Sequence, residues 1–350
     1  MTATNHSVQT IDAEDPTELQ ALLGRDHIDF IQNLGQPTWI TLRGEDQSRS
    51  RAIVTLLHAN EPSGLKAIHQ MLKNKITPHT NLGIFIASVE AALHPPIFSH
   101  RYLPSEADMN RCFGLGGNTN QELLANNLIE ILSAYQPEAV IDTHNTSAHS
   151  EPFAVAISSD PRTRQVSQLF TRKLVVLDQR LGTLIEQELG CPVVTVEFGG
   201  FLDPNADDLA LSSLGRFVGT RHLFDIEPEA LQLLQSPLRL EVQPDTQLHY
   251  STTVESAADI TIFNTIDQLN FRQLEASTTV GWISKNGTDQ LVVKNQKEQN
   301  IAKELFVEDA GFLKTRVPMT VFMATTDNHI ARNDCLMYLC PDLPLRQEPE

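Results

Sequence analysis

Cysteine is scarce in this 350-residue sequence. Cys112, Cys191, Cys335 and Cys340 are the only four, and no two form a C-x-x-C pair. They are too few and too scattered for a disulfide framework, and they fit reduced thiols in a cytoplasmic protein. Positive charge is short as well. Lysine and arginine total 26 against 44 acidic residues, a formal charge of −18. Such a surface repels phosphate backbones and anionic lipid, so neither a nucleic acid nor a membrane is an expected partner. A local arginine cluster can override that field, which leaves small anionic substrates open. No apolar run approaches the roughly 18 residues of a membrane span. The opening MTATNHSVQTIDAEDP has neither the basic nor the apolar region of a secretory signal. What is present, 41% hydrophobic and 20% charged residues, is ordinary for a globular chain with a substantial core. The length suits one large domain or two moderate ones.

Hydrophobic patterning divides the chain. Residues 1–36 are an extension, either an arm or a packed segment, in which DPTELQALLGRDHIDFIQNL reads as one or two short helices with Asp15 as N-cap and Pro16 at the first helical position. From 37 to 228 strands and helices alternate. TWITLRG and RAIVTLLHA are strand-like runs joined by GEDQSRS, which predicts a hairpin. PSGLKAIHQMLKN is a helix and LGIFIASV a strand, followed by a long polar, proline-bearing stretch from His94 to Asn120. QELLANNLIEILSAY (helix), PEAVIDTH and EPFAVAIS (strands), PRTRQVSQLFTR (helix), KLVVLD (strand), GTLIEQELG (helix), CPVVTVEFGG (strand) and ADDLALSSLGRFVGTRHLF (helix) complete the pattern. Alternation of this kind predicts an α/β sheet with helices on both faces. From 229 to 350 only short strands between Gly, Asn, Asp and Pro turns are expected, a β-rich C-terminal domain. There is no internal repeat.

Polar residues interrupt the apolar strands at particular places. His58 and Glu61 follow AIVTLL, His144 ends AVIDTH, and Glu197 ends VVTVE. Ligand crevices in open α/β sheets lie outside the carboxyl ends of the strands. Three strand ends therefore aim two imidazoles and two carboxylates at one rim. Two histidines and a glutamate form a catalytic zinc set with a fourth position left for water or substrate. Glu197 is then the unliganded carboxylate that takes a proton from metal-activated water. Taken singly, a strand-end histidine is more often a hydrogen-bonded structural residue. One H-x-x-E pair among 12 histidines is also what chance supplies. The coincidence at three strand ends favours the metal reading. The long loop adds Arg101 and the Asn110-Arg111 pair, preceded by Asp108; guanidinium groups clamp carboxylates and polarised carbonyls, and equally make surface ion pairs. Asp142, two residues before His144, faces the same side of its strand. It is either an acceptor behind a zinc-bound imidazole or a solvated acid. Cys112, beside Arg111, has no neighbouring base and reads as a buried thiol.

HANEPSG, RYLPSEADMNRCFG, IDTHNT and VTVEFG, in that order, resemble the motifs of the succinylglutamate desuccinylase/aspartoacylase family of zinc carboxypeptidase-like enzymes. The resemblance covers roughly residues 50 to 220. It implies a mixed, mostly parallel α/β sheet flanked by helices, with a C-terminal all-β domain that narrows the cleft. It implies one zinc per chain on His58, Glu61 and His144, and Glu197 as general base and acid. It further implies that Arg101 polarises the scissile carbonyl and that Asn110 and Arg111 hold a substrate carboxylate. The chain departs from the family pattern at Ala59, where glycine is usual, and at Thr143, where leucine is usual. The interval from Arg101 to Asn110 is two residues longer than the usual one. Arg180 lies upstream of Glu197 at a spacing that does not match the family's further basic residue.

The expected activity is a zinc-dependent amidohydrolase that removes the acyl group from a small anionic N-acyl amino acid. Two other readings compete: a zinc carboxypeptidase acting on peptides, and a non-catalytic ligand-binding protein on the same scaffold. The β-rich appendage disfavours the first, because a peptide needs an open groove. The spare Glu197 disfavours the second. The oligomeric state is open, a homo-oligomer included.

Overall fold

A computed structural model describes residues 8–342 apart from 14–15, 179, 226, 228–229 and 285–286. The expected cap at Asp15 falls outside the described residues. The chain forms two compact units, one comprising residues up to Asn145 with Pro152–Leu233, the other Thr146–Glu151 with residues from Leu234 on.

The elements of the first unit are, in chain order, β1 (Gln9–Asp12), α1 (Pro16–Leu23), α2 (His27–Leu34), β2 (Thr38–Leu42), β3 (Asp46–Thr55), α3 (Ser63–Lys73), β4 (Thr80–Ile86), α4 (Val89–Leu93), α5 (Asn120–Tyr135), β5 (Val140–Thr146), β6 (Phe153–Ala156), α6 (Pro161–Ser167), β7 (Lys173–Val176), β8 (Val193–Gly200), α7 (Pro204–Gly219) and β9 (Gln232–Gln235). The strands form one mostly parallel sheet in the order β1-β2-β4-β3-β5-β8-β6-β7-β9. Alternation along β3 shows how it is covered: Ile53 packs with α1, α2, α3 and α7 on one face, while Ala52 and Val54 pack with α5 on the other. The N-terminal segment is thus part of the layered structure, with β1 parallel to β2 and Phe30, Ile31 and Leu34 of α2 in the core.

Two sequence expectations for this unit fail. β2 and β3 do not form a hairpin; β4 lies between them, antiparallel to β2 and parallel to β3. Residues 52–55 of β3 are buried, so this strand needs hydrogen-bonded neighbours on both edges, and it takes β4 and β5, both in parallel. GTLIEQELG is not a helix beyond a single 3-10 turn, Leu184–Glu186. The Glu186 carboxylate bends back to accept the N–H groups of Leu181, Gly182 and Thr183, and Gln187 is already extended. The segment closes on itself before a second turn can form.

In the second unit the strands are β10 (Leu238–Val242), β11 (Leu248–Ser251), β12 (Ile260–Phe263), β13 (Gln273–Leu274), β14 (Thr279–Ile283), β15 (Leu291–Val292), β16 (Phe306–Asp309), β17 (Phe312–Thr315), β18 (Met319–Phe322) and β19 (Met337–Pro341), with short helices α8 (Ala302–Leu305) and α9 (Asn328–Asn333). They build two five-stranded sheets, β13-β18-β19-β10-β15 and β11-β12-β14-β17-β16, around a core that includes Leu240, Ile262, Leu313 and Leu339. The run ELFVED, expected as strand throughout, is helical through Leu305 and extended only from Phe306.

Candidate active site

β3 ends at Thr55, and the chain turns through Leu56, a fully buried leucine at φ 58°. A leucine holds this left-handed conformation at a cost, and such residues gather where a site needs a particular chain direction. The turn carries His58 and Glu61 inward, both buried. β5, buried along its length, brings Asp142 and His144 to the same rim.

Glu61 lies between the two imidazoles. Its Oε1 is 2.9 Å from His58 Nδ1 and its Oε2 is 2.6 Å from His144 Nδ1. The rings meet edge to face with centroids 4.6 Å apart. The outer nitrogens are backed by carboxylates: His144 Nε2 is 2.8 Å from Asp142 Oδ2, and His58 Nε2 is 3.2 Å from Asp108 Oδ1. A carboxylate that accepts the Nε2 proton leaves the Nδ1 lone pair facing inward. Asp142 therefore stands behind an imidazole rather than in solvent, held also by the Thr195 hydroxyl at 3.0 Å. Asp108 does the same for His58; the sequence signal for it was only its place two residues before Asn110.

One atom from each of His58, Glu61 and His144 can be chosen so that all lie within 4.8 Å of one another. Two neutral imidazoles and a carboxylate suit a zinc ion. Burial alone raises the Glu61 carboxyl, but His58 and His144 outweigh it and hold the group well below the usual carboxylate range. Burial disfavours a charged His144; Asp142 and Glu61 reverse this and hold its pKa well above the ordinary histidine value. A divalent cation bound here would displace the proton that His144 is held to carry. Two buried oxygens at the same rim, Asp142 Oδ1 and Glu197 Oε2, have no hydrogen-bond partner. The residues present fit the metal.

Glu197 lies on β8, opposite Phe153 of β6, and is 8% exposed. Burial pushes its carboxyl up to about 8; Glu61 and Asp142 add to the rise, while His144 and Arg101 oppose it. A buried carboxyl that titrates near neutrality can both take and give a proton.

The long loop is tied to this cluster by its backbone. Ala59 N–H donates to the Arg101 carbonyl at 2.9 Å. The Arg101 side chain donates through Nε to Asp108 Oδ2 at 3.0 Å, and its Nη1 is 3.5 Å from Glu61 Oε1. The longer interval to Asn110 thus leaves Arg101 at the rim. Asn110 and Arg111 sit in the 3-10 turn Met109–Arg111, capped by Asp108. Asn110 Oδ1 accepts Leu184 N–H at 3.1 Å, and Arg111 Nη1 donates to the Asn110 carbonyl at 2.8 Å. Burial raises the Asp108 carboxyl, but His58, Arg101 and Arg111 outweigh it and hold it far below the usual range. Arg180 is exposed, and Cys112 is a buried thiol that donates to the Asp108 carbonyl.

Solved structures with this architecture exist. A succinylglutamate desuccinylase/aspartoacylase from Rhodobacter sphaeroides matches with a TM-score of 0.56 at 16% identity, over 88% of each chain. The chain has the fold of the succinylglutamate desuccinylase/aspartoacylase proteins. A succinylglutamate desuccinylase from Vibrio parahaemolyticus matches with a TM-score of 0.56 at 13% identity, over 91% of this chain and 96% of that one. One from Chromobacterium violaceum matches with a TM-score of 0.51 at 13% identity, over 85% and 86%. No family model and no curated protein matches the sequence itself. The agreement with the desuccinylase fold is one of structure at low identity.

Proposed function

We propose that this chain is a zinc-dependent amidohydrolase of the succinylglutamate desuccinylase/aspartoacylase type, which removes the acyl group from a small, anionic N-acyl amino acid. The observation that carries the reading is the buried His58–Glu61–His144 cluster with Glu197 beside it, one carboxylate oxygen unpartnered. The shared fold supports it.

A zinc ion held by His58, Glu61 and His144 supplies a Lewis acid that acidifies water and polarises a carbonyl. Asp142 and Asp108 hold the two imidazoles in the tautomer that presents Nδ1. Glu197 takes the proton from the attacking water and later delivers it to the leaving amine. Its environment suits both steps, because a carboxyl raised toward neutrality is neither too weak a base nor too weak an acid. The Arg101 guanidinium, restrained by Asp108, donates to the oxygen on which charge develops. Asn110 and Arg111, on the same turn, hold the substrate carboxylate.

The test is a panel of N-acyl amino acids with varied acyl and amino-acid parts, assayed with zinc-loaded and with exhaustively chelated protein. Hydrolysis of one class by the zinc form alone is expected. Activity that survives chelation, in protein free of transition metal, refutes the reading.

A further inference from the structure

Asn145 is 3% exposed, and its side chain bonds two separate segments, the start of α3 and the end of β8. Its Oδ1 accepts Ser63 N–H at 3.1 Å, its Nδ2 donates to the Gly199 carbonyl at 3.1 Å, and its own N–H donates to Glu61 Oε2 at 3.2 Å. Each partner is special. Ser63 is the first residue of α3, where N–H groups have no partner within the helix. The residue in the cap position is Pro62, which offers no side-chain acceptor. Asn145, on β5, therefore caps α3 at Ser63, which is one residue beyond Pro62 and two beyond Glu61. Gly199 lies two residues past Glu197 at φ 116°, a conformation closed to most side chains. That turn of the backbone directs its carbonyl to the Asn145 amide.

We infer that Asn145 is a positioning residue that sets the distance between Glu197 and the metal-ligating Glu61. It clamps the start of α3, and with it Glu61, to the end of β8, and with it Glu197. This rests on the proposed hydrolase reading for its kinetic consequence, and on the hydrogen bonds alone for its structural one. An error of about 1 Å in placing a catalytic group can cost on the order of a hundredfold in rate.

The experiment uses Asn145→Leu, nearly isosteric and without hydrogen-bonding atoms, in the full chain. Backbone hydrogen exchange should rise at the first turn of α3 and at residues 197–200, with the remainder of the sheet unchanged. Zinc should stay near one per chain, because the three ligand side chains and the Asn145 N–H bond to Glu61 are retained, while the absorption of the cobalt-substituted protein should shift as Glu61 moves with the start of α3. On the substrate found by the panel, kcat should fall by roughly tenfold to a hundredfold, with KM changed less than about threefold. Because Asn145 acts through Glu197, the double variant with Glu197→Gln should be no slower than Glu197→Gln alone. Unchanged exchange at the two segments, a wild-type kcat, or effects that multiply in the double variant each overturn the inference. A wild type with no zinc-dependent hydrolysis overturns the hydrolase reading instead, and the clamp then stands or falls on the exchange result. Should Asn145→Leu not fold, Asn145→Ala removes both side-chain bonds at smaller volume, and exchange must again rise at the start of α3 and at residues 197–200.

Discussion

Replacing Glu197 by glutamine separates proton transfer from metal binding. Glu197 is buried at 8% exposure, its Oε2 has no partner, and burial raises its carboxyl to about 8. Glutamine keeps the volume and a hydrogen-bonding carbonyl but cannot accept a proton. General acid–base groups contribute typically 10²–10⁴-fold, which at about 1.4 kcal/mol per decade is roughly 3–5 kcal/mol of barrier. kcat on the best N-acyl amino acid should fall by that factor, with KM near wild type. Zinc should remain near one per chain by elemental analysis, since His58, Glu61 and His144 are intact. A neutral amide is easier to bury than a carboxylate, so the melting temperature of the metal-free variant should equal or exceed that of wild type. A variant with full kcat would falsify the assignment of the base. A variant that loses zinc would make Glu197 a ligand, and the chemistry would need another proton acceptor.

The other predictions concern the ligands, the substrate clamp and the scaffold. His58→Ala or His144→Ala should bind no zinc after dialysis; stoichiometric metal in either variant removes that histidine from the set. Arg111→Ala should raise KM roughly tenfold to a hundredfold, from the loss of a charge-assisted pair with the substrate carboxylate. Equal rates of wild type on the acid and on its neutral amide would refute the clamp. Gly64 packs against the ends of β3 and β5, where a Cβ would overlap the Thr143 hydroxyl and crowd that of Thr55. Gly64→Ala should therefore cost about 1–3 kcal/mol by chemical denaturation and weaken zinc binding through Glu61, and an unchanged midpoint would show that α3 can shift freely. Away from the site, Arg51 is fully buried and donates to Glu138 at 2.7 Å. Glu138→Ala strands that charge and should cost about 3 kcal/mol without changing kcat, whereas replacing both partners, Arg51→Met with Glu138→Leu, should cost less. Equal losses for the two would contradict the desolvation argument.

Much of this protein was legible in order along the chain. Period-2 and period-3.6 patterns marked β4, α3, α5, β5, β8 and α7, because each buries one well-defined face or both. That His58, Glu61, His144 and Glu197 belong to the carboxyl halves of three strands was equally visible, although β5 runs on past His144 to Thr146 and β8 past Glu197 to Gly200, because pairing in the sheet continues beyond the apolar run. Local pattern failed where the deciding contact was distant. β2 and β3 looked like a hairpin until β4 was inserted between them, and strand order is settled by which edges must be covered. GTLIEQELG had helical spacing, yet Glu186 closes three N–H groups upstream and ends the turn. Asp108 carried no pattern that distinguished it from a surface acid; only the fold brings it across 50 residues to His58. Residue types and their spacing singled out the side chains that the structure brings together at the buried cluster. The tertiary structure alone decided which carboxylate backs which imidazole and that Asn145 bonds both Ser63 and Gly199, because hydrogen bonds between distant segments depend on positions that no sequence interval encodes.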